Sequence, residues 1–224
     1  MYADAAMIKR GYRQSENVEV LKGHGRFTGP KILAAEGFDE ELTAETILIA
    51  AGTLPWLPDI PSLDQSPYLT FDEALSLPDQ PKRLTVIGGG YIAAQLAHFF
   101  GALGTKVNII HRRGQIRREE NNYVARRFTK VYQRRFNMIL DPQVKRVPVQ
   151  GGEITVEVTT PDGKRSIPSD ALLMATGRVP NTDIFEVADT SVELNQRGYI
   201  NTDKYLQISV PGIWARAISW DATC

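Results

Sequence analysis

The chain has 224 residues, of which 42% are hydrophobic and 23% charged; these values are typical of globular proteins and argue against disorder or fibrous architecture. No apolar stretch approaches the roughly 18 residues of a membrane span, and the residues after Met1 do not resemble a secretory signal. The single cysteine, Cys224, excludes an intrachain disulfide and a multi-cysteine metal site, so we expect a cytoplasmic protein without a metal or a membrane partner.

Basic and acidic residues balance over the chain, at 26 each, but not along it. The stretch 106–146 holds twelve lysines and arginines against Glu119, Glu120 and Asp141. Such a stretch is compatible with a solvated helix face, a nucleic-acid surface or a pocket for an anionic small molecule. The basic residues of 126–146 lack interleaved stacking aromatic side chains on a strand face, so we expect them to be solvated and expect no nucleic-acid partner.

The first predicted region is a β-meander over residues 17–52. Its strands are expected in NVEVLKGHGRF, in KILAAEGF with a turn at Gly37, and in ETILIAAG. The next segment contains four prolines, which disfavour regular structure and indicate a domain boundary near residue 54: Pro55, Pro58, Pro61 and Pro67.

The central region alternates strands and helices. After a short helix at 72–77, the segment RLTVIGGG is predicted as a buried strand, YIAAQLAHFFGALG as a largely apolar helix and TKVNIIH as a second strand. A second long helix is predicted from the spacing of five residues: Tyr123, Val124, Phe128, Val131 and Arg135. The alternation predicts an α/β domain with a parallel sheet.

A second meander follows, in VKRVPVQ, EITVEVTT and RSIP, and leads into the strand DALLMATGRVP. That strand, at 170–180, matches ETILIAAGTLP at 45–55 in length, apolar pattern and closing Gly-x-x-Pro. Because a meander precedes the matching strand in both places, the sequence predicts two related units.

A glycine motif closes the first central strand and opens the helix. Residues 88–93 fit G-x-G-x-x-G/A, in which Gly88 makes the tight turn, Gly90 lets the backbone approach a pyrophosphate and Ala93 permits close packing. The N–H groups at the helix start, around Tyr91 and Ile92, favour an anion. The motif predicts dinucleotide binding; the alternative is a structural glycine turn.

The end of the second central strand bears on the choice of dinucleotide. NAD sites usually place Asp or Glu there, roughly twenty residues after the first glycine, but this strand ends in Asn108-Ile109-Ile110-His111. Four arginines follow, and guanidinium groups suit a 2′-phosphate: Arg112, Arg113, Arg117 and Arg118. We therefore expect NADP, with NAD as the alternative. His111 either contacts the adenine ribose or simply ends the strand.

The remaining histidines, His24 and His98, have no acid or nucleophile at a spacing that indicates catalysis, so we expect structural roles. No catalytic residue is assigned in this chain. The small-residue ends of the two repeats are predicted to contact cofactor: Ala51 with Gly52, and Gly177 with Arg178.

Five segments together resemble one family: AAGTLPWLP, FDEAL, VIGGGYIAAQLAHFFGALGTKV, DALLMATGRVPNTD and GYINTDKYLQISVPGIWA. They resemble the FAD-dependent pyridine nucleotide-disulfide oxidoreductases, which include dihydrolipoamide dehydrogenase and the glutathione, mycothione and mercuric reductases. The segments AHFFGALGT and RRFTKV are most similar to the archaeal dihydrolipoamide dehydrogenase and mycothione reductase branch.

The resemblance implies a Rossmann-like NAD(P)-binding domain, a parallel sheet plus a β-meander, inserted in a partial FAD-binding domain. Residues 1–54 would end the first FAD-domain segment, 55–178 would form the NAD(P)-binding domain, and 179–224 would begin the returning FAD-domain segment. In the intact family enzyme a hydride passes from the nicotinamide dinucleotide to FAD and on to a disulfide.

The resemblance also implies roles for single residues. Tyr91 matches the aromatic residue that gates the nicotinamide pocket, whereas the family's glutamate four residues later is Gln95 here. Arg112 and Arg118 fall where the glutathione reductase branch holds the 2′-phosphate. Dihydrolipoamide dehydrogenases usually use NAD and place an acid near His111.

The family's FAD-binding glycine fingerprint, its redox cysteine pair and its dimerisation domain have no counterpart in this sequence. We therefore expect an inactive fragment that needs further segments to hold FAD or to form the family's homodimer. The tail 216–224 departs from the family's Leu-Gly-Asp continuation, and our hypothesis is a single-base frameshift. The alternative functions are a stand-alone, non-catalytic NAD(P)-binding module and nucleic-acid binding through 106–146.

Overall fold

The computed structural model describes residues 2–117 and 120–216. It divides into two compact units, one comprising Met1–Thr53 with Pro180–Cys224 and the other Leu54–Val179. Within the described ranges, no helix is long and apolar enough to cross a membrane. The same ranges contain no cluster of three or more His, Cys, Asp or Glu residues placed to hold a metal ion.

The elements in chain order are α1 (Tyr2–Gln14), β1 (Gly25–Gly29), β2 (Ile32–Ala35), β3 (Leu42–Thr43), β4 (Ile47–Ile49), β5 (Thr53–Pro55), β6 (Tyr68–Leu69), α2 (Phe71–Leu75), β7 (Arg83–Gly88), α3 (Tyr91–Ala102), β8 (Lys106–His111), α4 (Asn122–Arg135), β9 (Asn137–Leu140), β10 (Gln143–Arg146), β11 (Val149–Gln150), β12 (Glu153–Thr160), β13 (Gly163–Ser169), β14 (Ala171–Ala175), β15 (Arg178–Pro180), a 3-10 helix (Val187–Thr190) and β16 (Ile213–Ala215).

In the first unit, β1, β2 and β3 form an antiparallel meander, and β4 pairs in parallel with β16. The predicted turn at Gly37 is present, with a positive φ of 84° that suits glycine. Phe27, Ile47 and Ile213 lie in the buried core of this unit, together with Val187 and Ile200.

Two parts of the first unit differ from the sequence prediction. Residues 17–22 form no strand, because the alternating Val18 and Val20 are both more than 40% exposed and have no sheet to cover them. The helix α1 was not predicted at all. Its side chains from Ala6 to Gln14 are exposed, Met7, Ile8 and Tyr12 included.

The second unit is built on a parallel sheet with the strand order β6-β14-β7-β8-β9. Leu84, Val86 and Leu172 in its central strands are fully buried. Such a sheet is covered on both faces, which explains why its strands are continuous apolar runs in the sequence.

The helices cover one face of this sheet. α3 buries Ala93, Leu96, Ala97 and Phe100 in the same core as Leu84 and Val86, and α4 adds Tyr132 to it. The Tyr132 hydroxyl donates to the backbone carbonyl of Ala94 at 3.0 Å, which ties the two helices together. Burial raises the pKa of Tyr132.

The other face is covered by an antiparallel sheet in which β12 pairs with β10, β11 and β13. Ile154, Val156 and Val158 on β12 pack in one core with Ile87 and Leu172 of the parallel sheet. The expected α/β architecture, with a parallel sheet plus a meander, is confirmed. In each unit a meander precedes a strand that pairs in parallel, β4 in one and β14 in the other.

The helix α4 lies where it was predicted, but a different face is buried. Tyr123 is 78% exposed, and Val124 and Val131 are exposed too, whereas Ala125, Thr129 and Tyr132 are buried. Thr129 tolerates burial because its hydroxyl donates to the Ala125 carbonyl at 2.8 Å and accepts from the Ile116 N–H at 3.1 Å. Because Thr129 is polar, the spacing of apolar residues did not indicate that this face is buried.

Candidate dinucleotide-binding site

The carboxyl ends of three adjacent parallel strands meet at the glycine turn. β7 ends at Gly88, which is in register with Ala175 at the end of β14, and the neighbouring β8 ends at His111. Ligands of parallel α/β sheets bind at this edge. The turn therefore lies where a bound dinucleotide is expected.

Gly88 and Gly89 are required by packing. Gly88 has a φ of 144°, and a Cβ built on it would overlap the Ala175 carbonyl oxygen. A Cβ on Gly89 would lie 2.5 Å from the Nδ1 atom of His111. Both glycines thus let other parts of the protein approach the turn, so they would be needed even in a protein that bound no ligand.

Gly90 is different. Its φ of −83° is accessible to any residue, and no atom of the described residues lies within 4 Å of a Cβ built on it. Gly90 is the N-cap of α3, and its carbonyl accepts the N–H of Ala94 at 3.1 Å. The preceding N–H groups, of Tyr91, Ile92 and Ala93, are those that a helix leaves without an intrahelical partner. Open space beside such amides fits a pyrophosphate.

The side chains of the first turn of α3 divide between core and surface. Ala93 is 1% exposed, and Ile92 packs against the core formed by the helices and the sheet. Tyr91 is 57% exposed. Of these residues, Ile92 and Ala93 could therefore serve a ligand through their backbone N–H groups, whereas Tyr91 could also contribute its ring.

Tyr91, Arg117 and Glu120 form a side-chain cluster against the turn, which we call the Tyr91 cluster. The Tyr91 hydroxyl donates to Oε1 of Glu120, and Arg117 Nη2 donates to the same oxygen at 2.8 Å. The Arg117 guanidinium also lies over the Tyr91 ring. The N–H of Arg117 donates to the Gly89 carbonyl at 2.8 Å, which fixes the cluster to the glycine turn.

The charges within the Tyr91 cluster support one another. The hydrogen bond to Glu120 raises the pKa of Tyr91, and the Tyr91 hydroxyl, followed by Arg117, lowers the pKa of Glu120. Glu120 is therefore a carboxylate and Tyr91 a neutral phenol at neutral pH. Arg117 was expected from the sequence only as one of four candidates for a 2′-phosphate, and Glu120 was not expected at the site, because only the folded loop brings the two residues onto Tyr91.

The predicted phosphate-binding arginines follow β8. Arg112 and Arg113 are exposed in this loop, and Arg118 lies outside the described residues. The half-buried His111 packs its ring on Gly89, as the close approach of that ring shows. Asp141 also contacts this loop, which its position in the sequence did not indicate: its N–H donates to the His111 carbonyl at 3.0 Å, and its Oδ2 lies 3.0 Å from a Cβ built on Gly114.

Gly177 and Arg178 follow β14. Gly177 has a φ of 141°, and its carbonyl accepts the N–H of Trp56 at 2.9 Å. The Arg178 guanidinium lies 4.9 Å from the ring centroid of Phe71, the first residue of α2. Both residues thus belong to the same unit as the glycine turn.

Ala51 and Gly52 belong to the other unit. Their carbonyls accept hydrogen bonds from Asn181, whose side-chain Nδ2 lies 2.9 Å from the Ala51 oxygen and whose backbone N lies 3.3 Å from the Gly52 oxygen. Gly52 has a φ of 70°. These carbonyls are therefore tied within their own unit.

A cleft of about 780 Å³ occurs at the opposite edge of the parallel sheet, lined by residues 80–83, Gly104, Lys106 and Asp170. Its arginine, Arg83, pairs with Asp170 at 2.6 Å and with Glu153 at 2.8 Å. Since the carboxyl edge holds the glycine turn, we place the candidate site there and not in this cleft.

His98 and Arg146 make side-chain contacts elsewhere in the second unit. His98 is exposed on α3, where its Nδ1 lies 2.9 Å from Nη1 of Arg135. Arg146, expected to be solvated, is 57% exposed and pairs with Glu157 at 2.8 Å. Neither residue contributes to the glycine turn.

A parallel sheet with a glycine turn at its carboxyl edge defines the class of α/β dinucleotide-binding proteins. Residues 6–216 match the family model described as pyridine nucleotide-disulphide oxidoreductase. The chain belongs to this family, as the resemblance in the sequence implied.

Curated relatives include the glutathione reductase of Burkholderia cepacia, 34% identical over 95% of this chain and 47% of the relative. The dihydrolipoyl dehydrogenase of Vibrio parahaemolyticus is 32% identical over 92% of this chain and 44% of the relative. This chain thus spans somewhat less than half of each. The HOCl-induced flavoprotein disulfide reductase RclA of Escherichia coli superposes with a TM-score of 0.83 at 25% identity, covering 96% of this chain and 48% of that one.

Enzymes of this family use FAD and a nicotinamide dinucleotide. The solved flavoprotein supports the expected relation to FAD- and NAD(P)-binding domains. The frameshift hypothesis concerns residues 216–224, and all of these except Arg216 lie outside the described residues.

Proposed function

We propose that the glycine turn binds a nicotinamide dinucleotide and that this chain is the NAD(P)H-binding portion of a flavin-dependent disulfide oxidoreductase. The observation that carries the proposal is the contrast among the three glycines. Packing explains Gly88 and Gly89, whereas Gly90 borders open space at the start of α3. A pyrophosphate beside the helix amides gives Gly90 a reason to be glycine.

Each residue at the turn then has a role in binding. The N–H groups of Tyr91, Ile92 and Ala93 donate to the pyrophosphate, and the Tyr91 ring covers the nicotinamide side. His111 borders the adenosine side, and Gly177 with Arg178 lines the site from β14. When bound, the dinucleotide supplies a hydride for a flavin, and the protein contributes by positioning.

NADP is the dinucleotide that we propose. Arg112 and Arg113 are exposed in the loop after β8, and Arg118 follows in sequence. Arginine forks bind a phosphate through two parallel hydrogen bonds. The strand β8 ends in His111 rather than in the acid that NAD sites commonly use.

We also propose a domain assignment. Residues 55–178 form the NAD(P)-binding domain, and 1–54 and 179–224 belong to an FAD-binding domain in which Ala51 and Gly52 face the cofactor. The shared order of meander and parallel strand in the two units supports this assignment. Holding FAD, reducing a disulfide and forming a homodimer would then require segments that the relatives have beyond the matched half. Of the compartments, we propose the cytoplasm.

Purification followed by titration tests the proposal. We expect a colourless protein that binds NADPH by calorimetry and does not reduce glutathione disulfide or lipoamide. A purified chain with a bound flavin that catalyses NADPH-dependent turnover would contradict the fragment assignment. If the chain binds DNA with a strong salt dependence and NADPH does not displace the DNA, nucleic-acid binding would be favoured instead.

A further inference from the structure

Arg117 is an unusual arginine, because its side chain is only 4% exposed although it lies in a surface loop. A buried charge needs a partner, and Glu120 supplies a carboxylate 2.8 Å from Nη2. Arg117 also has a φ of 58°, in the left-handed region that residues other than glycine rarely adopt. Such backbone conformations persist where the surrounding structure enforces them, and they concentrate at functional sites.

The position of Arg117 matters because its N–H group is bonded to Gly89. Its guanidinium lies over Tyr91, the first residue of α3, whose own N–H is one of the amides that a helix start leaves without an intrahelical partner. A guanidinium beside these amides would strengthen an anion site, because arginine binds phosphate and carboxylate with the same planar fork.

We infer that the Glu120 carboxylate competes with the phosphates of the dinucleotide for Arg117, and that Glu120 thereby lowers the affinity of the site. This inference rests on the proposed function. Glu120 holds two groups at once, the Arg117 guanidinium and the Tyr91 hydroxyl, through one oxygen.

The competing interpretation is a purely structural ion pair. If Glu120 only shaped the loop for binding, its removal would weaken binding, since the loop carries Arg112 and the N–H contact to Gly89. If Glu120 competes with the ligand, its removal strengthens binding, because Arg117 remains and its internal anion is gone. The two interpretations predict opposite signs.

The test is Glu120→Gln, titrated by calorimetry with NADPH and with inorganic pyrophosphate. We expect both to bind roughly ten- to a hundredfold more tightly than to the wild type, the effect of one charge-assisted contact. The matched control is Glu157→Gln. Glu157 lies on β12, and its carboxylate is likewise paired with an arginine, Arg146. We expect the control to leave both affinities unchanged.

A double-mutant cycle assigns the effect to Arg117. Glu120→Gln should give no gain in a protein that already carries Arg117→Gln. Glu120→Asp, which keeps the charge on a shorter side chain, is a second variant should Glu120→Gln not fold, and its affinity should fall between those of the wild type and Glu120→Gln.

The outcomes separate the two proposals. If the wild type binds the dinucleotide and Glu120→Gln binds it equally or more weakly, the competition is contradicted and the proposed function stands. A gain in affinity that persists in the absence of Arg117 would have the same consequence. No dinucleotide binding by the folded wild type and by both Glu120 variants would contradict the proposed function, and the competition with it.

Discussion

Gly88 and Ala175 approach so closely that no side chain fits between them: a Cβ on Gly88 would overlap the Ala175 carbonyl oxygen. The two residues are register partners at the carboxyl ends of β7 and β14. The first glycine of the motif therefore serves the sheet itself, and only the third is free to serve a ligand.

This relationship predicts that Gly88→Ala destabilises the protein strongly, by more than about 3 kcal/mol, because it combines a steric overlap with a strained positive φ. Gly90→Ala has neither problem and should change the free energy of unfolding by no more than about 1 kcal/mol. Urea denaturation of both variants provides the measurement. Similar free energies of unfolding for the two variants would show that the close approach of β7 and β14 tolerates a side chain at position 88.

The core of the second unit offers a test of the fold. Leu172 is fully buried in β14, between β6 and β7, so Leu172→Ala should lower the free energy of unfolding by about 2–5 kcal/mol. Leu103→Ala removes the same atoms from a side chain that is 55% exposed and should cost much less. If urea denaturation shows that both variants lower the free energy of unfolding by the same amount, the assigned packing is wrong.

Asp170 predicts a pH dependence of stability. It accepts hydrogen bonds from the Arg83 N–H at 2.8 Å and from Arg83 Nε at 3.1 Å, and the Arg83 side chain is the largest cause that lowers the pKa of Asp170. A lowered pKa in the folded state stabilises the protein above the unfolded pKa of about 4, and this contribution is lost as the pH falls through the folded value.

The urea midpoint of Asp170→Asn should therefore lie below that of the wild type at pH 7, and the gap should narrow as the solution is acidified below about pH 4. Asp162→Asn, in an exposed turn, makes the same change of charge as a control. A gap that stays constant down to about pH 2 would mean that the Asp170 carboxylate contributes nothing specific.

Much of the second unit could be predicted from the sequence because its signals are local. The strands β7, β8 and β14 are continuous apolar runs, and the glycines of 88–90 mark the start of α3. The glycine motif is also contiguous, so its residues are necessarily neighbours.

What could not be predicted depends on contacts between distant segments or on burial that residue type conceals. The buried face of α4 includes Thr129, whose hydroxyl is satisfied by Ala125 and Ile116. The path of the loop after β8 could not be predicted from the sequence. This path determines the packing of His111 on Gly89 and the formation of the Tyr91 cluster. The helix α1 is exposed from Ala6 to Gln14, and its apolar residues Met7, Ile8 and Tyr12 did not lead to its prediction.

The preference for NADP predicts the effect of the arginines after β8. Replacing Arg112 and Arg118 together with Ala should weaken NADPH binding by roughly 1.5–3 kcal/mol per contact, ten- to a hundredfold, and leave NADH binding nearly unchanged. The wild-type preference should weaken as the salt concentration rises. Arg126→Ala with Arg127→Ala, two exposed arginines of α4, is the matched control. Equal wild-type affinities for NADPH and NADH would exclude specificity for NADP.

Calorimetric titration of NADPH into Gly90→Val tests whether the open space at Gly90 receives the pyrophosphate of a nicotinamide dinucleotide. A Cβ at Gly90 meets no atom of the described residues within 4 Å, so we expect Gly90→Val to fold and to lose NADPH binding. Gly25→Val, in β1, also has no atom of the described residues within 4 Å of its Cβ, and it should bind NADPH as the wild type does. A folded Gly90→Val protein with unchanged NADPH affinity would contradict the account.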